Sequence, residues 1–89
     1  MIERVLEIVN ERGLHARAAA KFVSLAGTFQ ADVTVSKDGN SVSGNSILGL
    51  MTLSASRGSE IQIRVEGPDE AVAADALARL VTGGFDETA

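Results

Sequence analysis

Glu60-Ile61-Gln62-Ile63-Arg64-Val65-Glu66 decides the architecture of this 89-residue chain. Aliphatic residues at 61, 63 and 65 alternate strictly with polar ones, and successive side chains of a strand point to opposite faces. The segment therefore predicts a strand that is dry on one face and wet on the other. Such a sheet needs a cover on one side only. Just downstream, Pro68-Asp69 starts a helix in which Val72, Ala73, Ala76, Leu77 and Leu80 form an apolar stripe, and Gly83-Gly84 stops it. Upstream, Asn45 or Ser46 can cap a short helix over Ile47 to Leu53.

Further toward the N-terminus, Ala31 to Ser36 alternates Val33 and Val35 with Asp32 and Thr34. Asp38-Gly39 is a hairpin signal leading into a short strand around Ser41 to Ser43. From Ala16 to Ala26 the period becomes helical, with Ala19, Phe22, Val23 and Ala26 on one stripe and Gly27 placed to end it. Asn10 to Gly13 reads as a loop. Before it, Ile2 to Val9 is aliphatic and alternating enough for a strand. The order is β-α-β-β-α-β-α, without repeats or linkers. An α+β open-faced β-sandwich follows: a four-stranded antiparallel sheet covered on one face by three helices. The last strand enters between the first two in a split βαβ arrangement.

The chain has room for one core, so residues 1–89 are expected to form one domain. Its 45% hydrophobic and 22% charged residues suit an ordered globular protein and argue against disorder. No apolar run approaches the ~20 residues of a membrane span, and Met1-Ile2-Glu3-Arg4 does not open a signal peptide, so a cytoplasmic protein is expected. The absence of Cys excludes disulfides and thiolate chemistry, one His is too few for an ordinary metal site, and nothing implies a cofactor. A net charge of −4 has the wrong sign for binding nucleic acid. The bases are nevertheless concentrated toward the front, where Arg12, Arg17 and Lys21 bracket His15 and offer either a local positive patch or three solvated charges.

Gly13-Leu14-His15-Ala16-Arg17 puts the only imidazole of the chain where loop becomes helix. A helix N-terminus presents unpaired N–H donors and a partial positive charge, both suited to phosphate. The same field disfavours imidazolium, and the Gly13 to Lys21 segment contains no carboxylate to oppose it. His15 is then a neutral nucleophile whose phosphoryl adduct would be cradled by the amides of Ala16 and Arg17, with the Arg17 side chain adding a charge-assisted bond. The alternative from position alone is a helix-capping histidine without chemistry. Ser46 is read first as a hydroxyl cap. Ile47, Leu48 and Met51 are read either as core or as an apolar docking patch on a helix too short to bury every face.

Gly13-Leu14-His15-Ala16-Arg17, then Phe22-Val23, then Asn45-Ser46-Ile47-Leu48-Gly49-Leu50-Met51, together resemble the HPr family across nearly the whole chain. These are the histidine-containing phosphocarriers of the phosphoenolpyruvate-dependent phosphotransferase system. The resemblance implies that His15 receives a phosphoryl group on Nδ1 from enzyme I and passes it to an enzyme IIA domain, with Arg17 stabilising it. It implies a carrier that is a substrate of phosphotransferases and not an enzyme, working as a monomer. It also implies docking on the first two helices and, in some members, phosphorylation of the residue matching Ser46 by HPr kinase/phosphorylase. Two positions depart from the pattern: Ala18 stands where the family usually has proline, and Asn45 where lysine is common. Asn45-Ser46 and the Gly84-Phe85-Asp86-Glu87 tail resemble the nitrogen-type branch, NPr, whose relay ends in regulation. A small regulatory or ligand-binding module on the same scaffold, without covalent phosphorylation, is the alternative function.

Overall fold

The computed structural model describes residues 1–87. Its elements are β1 (Ile2–Glu7), α1 (Ala16–Ala26), β2 (Asp32–Lys37), β3 (Asn40–Ser43), α2 (Ile47–Thr52), β4 (Glu60–Glu66) and α3 (Glu70–Thr82), followed by a single 3₁₀ turn over Gly84–Asp86. The sheet order is β1-β4-β2-β3, with every neighbouring pair antiparallel. The last strand therefore lies between the first two.

Ile61, Ile63 and Val65 of β4 are buried to 1% exposure or less, and their helix-side neighbours Leu6, Val33 and Val35 join them in one hydrophobic cluster. Each such side chain contributes about 2 kcal/mol relative to exposure. The opposite face is polar. Glu3 and Arg64 are cross-strand partners there and form an ion pair at 3.0 Å. The β2–β3 hairpin turns at Asp38-Gly39, both with positive φ (52° and 84°), a conformation that the glycine adopts without a side-chain clash.

The helices cover the dry face. In α1 the buried residues are Ala18, Ala19, Phe22 and Ala26, with Val23 packed against the core from its margin. In α3 the stripe is rotated from the expected one. Ala73, Ala74, Leu77 and Val81 are buried, Ala76 and Leu80 are half-buried, and Val72 is 56% exposed. The expectation of a buried Val72 is thus corrected, because Ala74 and Val81 take the sheet-facing side and turn residue 72 outward. Strand β1 also ends two residues earlier than expected, at Glu7, where Ile8 turns to bond Ser59. Among the described residues no helix is long and apolar enough to cross a membrane.

Candidate functional site

The site is built on a tight turn. Gly13 has φ +67°, and a Cβ at this position would lie 2.6 Å from the carbonyl oxygen of Ala55, so both conformation and space require glycine. The N–H of Leu14 donates to the same carbonyl at 2.9 Å. The turn is thereby pinned to the segment after α2. The next residue, His15, emerges with extended backbone as the N-cap of α1.

His15 uses both ends of its ring. Its carbonyl accepts the first intrahelical bond, from Ala19 at 2.8 Å, which leaves the amides of Ala16, Arg17 and Ala18 without helix carbonyls. The Arg17 amide donates to Nδ1 of His15 at 3.3 Å, a long bond. An accepting Nδ1 carries its lone pair, so in a neutral ring the proton is on Nε2. That nitrogen hydrogen-bonds to Oε2 of Glu87. The carboxylate missing from the Gly13 to Lys21 segment comes from 72 residues away, and the reading that the helix field acts unopposed on His15 is corrected.

The position of Glu87 is itself determined by neighbours. Phe85 is fully buried although its φ is +56°, so apolar burial holds a backbone conformation that costs of order 1 kcal/mol or more. Nζ of Lys21 donates to the Phe85 carbonyl at 2.7 Å. Asn10, 5% exposed, donates from Nδ2 both to the Gly13 carbonyl at 2.8 Å and to Oε1 of Glu87 at 2.9 Å. The hydrogen bond from Asn10, then that from His15, hold the Glu87 carboxyl below its ordinary range, and the charges of His15 and Arg12 act in the same direction.

The remaining candidates divide. A depression of about 240 Å³ beside the ring is lined by Arg12, Leu14, Ser54, Ala55 and Ser56. Arg17 brings its amide to His15, and the residue also borders a groove between α1 and α3, together with Lys21 and Asp86. Lys21 donates to a neutral carbonyl of the tail, which fixes its ammonium group and leaves its charge in place. Ser46 caps α2, its hydroxyl accepting from the Gly49 amide at 2.9 Å. Ile47, Leu48 and Met51 are exposed to 39%, 76% and 39%, while Leu50 alone of this helix enters the core. A Cβ on Gly49 would stand 3.2 Å from that of Val42, so its small size admits β3.

The chain's family follows from comparison with known proteins. The family model described as "PTS HPr component phosphorylation site" matches residues 2–83. The chain belongs to the HPr family of phosphocarriers of the phosphotransferase system. It is 45% identical over 87 residues to the phosphocarrier protein HPr of Neisseria meningitidis, covering 98% of each chain. The crystal structure of HPr-C-His from Thermoanaerobacter tengcongensis superposes with a TM-score of 0.94 at 42% identity, with all of both chains covered. A structure described as an HPr dimer from the same organism is 42% identical with a TM-score of 0.77, covering 98% of this chain and 100% of that one. The α+β sandwich derived above is thus the HPr fold.

The sequence pattern does not reveal Asn10 and Glu87 as neighbours of His15. Asn10 reads as loop, and Glu87 as part of a tail that resembles the nitrogen-type branch. One signal was available: an acidic pair, Asp86-Glu87, separated from the Gly83-Gly84 stop only by the apolar Phe85, in a chain whose single His lies among bases.

Proposed function

We propose that this HPr-family chain accepts a phosphoryl group on Nδ1 of His15 from phosphorylated enzyme I and delivers it to an enzyme IIA domain. The observation that carries the reading is the placement of Nδ1, whose lone pair faces the Arg17 amide at 3.3 Å at the positive end of α1. During transfer the lone pair forms the N–P bond while the bond from phosphorus to the donor breaks, and the donor keeps that electron pair. The Arg17 N–H, released from Nδ1, turns to a phosphoryl oxygen beside the Ala16 amide. Because Ala18 is not proline, this first turn keeps one further N–H. The Arg17 guanidinium adds a charge-assisted bond to the same phosphate.

Docking falls on the exposed side chains of Ile47, Leu48 and Met51, since α2 packs on α1 and presents them to solvent. Ser46 lies at the edge of this patch. Phosphorylation there, by a partner of the HPr kinase/phosphorylase kind, would add charge to an apolar contact and exchange the cap bond for a regulatory one. The chain is proposed to work as a monomer. A carrier charged from phosphoenolpyruvate belongs in the cytoplasm. The transfer serves sugar uptake or nitrogen-type regulation, and the tail and Asn45-Ser46 resemble the second branch.

The test is incubation with phosphoenolpyruvate and a general enzyme I, followed by intact mass and acid treatment. A single acid-labile phosphoryl group is expected. An unmodified protein would overturn the carrier reading in favour of a binding module on the same scaffold.

A further inference from the structure

We propose that Glu87 is a positioning residue, holding His15 in the tautomer whose proton is on Nε2 and whose lone pair is on Nδ1. The inference rests on the carrier reading above and goes beyond it by assigning the tail a part in the reaction.

The argument begins with donors and acceptors. Asn10 Nδ2 faces the Gly13 carbonyl and Oε1 of Glu87, and both are acceptors, so its amide group has only one orientation that satisfies them. Glu87 is then held from behind by a donor and meets His15 Nε2 with its second oxygen. A carboxylate only accepts, so Nε2 must donate. On the far side of the ring the Arg17 amide only donates, so Nδ1 must accept. The two ends of the ring are thus specified by independent parts of the chain, the helix start and the anchored tail.

The consequence for transfer is a reaction without proton movement. Nδ1 attacks phosphorus and the donor departs with its bonding electron pair. The ring becomes a phosphoimidazolium, and its N–H on Nε2 stays bonded to the negative carboxylate. When the N–P bond breaks in onward transfer, its electron pair returns to Nδ1 and the starting tautomer is restored. Glu87 balances the positive charge of the intermediate from the nitrogen opposite the phosphate, where it does not obstruct the incoming phosphoryl group. This places it among groups that orient a histidine through its second nitrogen.

The network makes an unusual demand on a nearly isosteric change. In Glu87→Gln the oxygen is claimed by Asn10 Nδ2, and the new NH₂ group then faces Nε2. The ring must either lose this bond or move its proton to Nδ1, against the Arg17 amide. Glu87→Ala simply removes the partner.

The experiment measures initial rates of phosphorylation by phosphoenolpyruvate and enzyme I for wild type, Glu87→Gln and Glu87→Ala. It also records ¹⁵N–¹H spectra of the histidine ring in each unphosphorylated full-length protein. Both variants are expected to be phosphorylated on His15 about tenfold more slowly, the value of one charge-assisted hydrogen bond, with Glu87→Gln no faster than Glu87→Ala. Wild type should show a strongly hydrogen-bonded Nε2–H and an unprotonated Nδ1, and both variants should lose that N–H signature. A wild-type rate in Glu87→Gln, or ring spectra identical in all three proteins, would overturn the proposal. The spectra separate the two readings. If wild type accepts no phosphoryl group the carrier function fails, while the ring signature still decides whether Glu87 sets the tautomer.

Discussion

Two helix starts in this molecule are capped alike and held differently. His15 and Ser46 are both N-caps in extended backbone, and both accept a backbone N–H of their own first turn. Ser46 does so at 2.9 Å from the Gly49 amide, so its hydroxyl is committed to the cap. His15 does so at 3.3 Å from the Arg17 amide, and its other nitrogen is held by a carboxylate from the tail. One cap finishes a helix. The other holds its lone pair by a longer bond, and under the proposed function that lone pair takes the phosphoryl group. Capping geometry is therefore compatible with either role, and the difference lies in what holds the side chain from behind.

Exchanging each cap for alanine should separate these roles by the largest margin. His15→Ala should abolish phosphoryl acceptance while remaining folded, at a stability loss of about 1 kcal/mol, the usual value of a cap. Ser46→Ala should lose about the same stability and accept phosphate at the wild-type rate. Chemical denaturation and the phosphorylation assay, run on both variants, check the pair. Phosphorylation of His15→Ala, or its loss in Ser46→Ala, would reverse the assignment.

A smaller effect distinguishes the two starts by pH. The folded Glu87 carboxyl titrates below its ordinary value of 4.5, chiefly through the bond from Asn10 and then that from His15. The unfolded chain therefore binds the proton more readily. Its contribution to stability is present above the unfolded value and disappears as pH falls through the folded one. The stability difference between wild type and Glu87→Gln should accordingly shrink from about pH 5 downward. That between wild type and Ser46→Ala should stay constant, since a hydroxyl cap does not titrate. Urea midpoints across this range supply the measurement, and a constant difference for Glu87→Gln would exclude the hydrogen-bonded carboxylate.

The fold was legible because period-2 and helical patterns report burial directly. Glu60–Glu66 and Ala16–Ala26 were bounded correctly from their side chains alone. In α3 the small residues at 73, 74, 76 and 78 define a stripe too weakly to orient it, so Val72 was turned inward on paper and outward in the structure. At the site, Gly13 to Arg17 could be read because position at a helix start has local chemical meaning. Asn10 and Glu87 could not, because their significance depends on the tail folding back. That return is set by Phe85 entering the core and Lys21 holding its carbonyl, two contacts with no local sequence pattern.

The most direct test of His15 as the reactive start is the atom that receives the phosphoryl group. Protein carrying ¹⁵N-labelled histidine, phosphorylated through enzyme I, should show one-bond ³¹P–¹⁵N coupling to Nδ1, with the ring proton retained on Nε2. Coupling to Nε2, or a phosphate attached to the Ser46 oxygen with no coupling to the ring, would contradict the account.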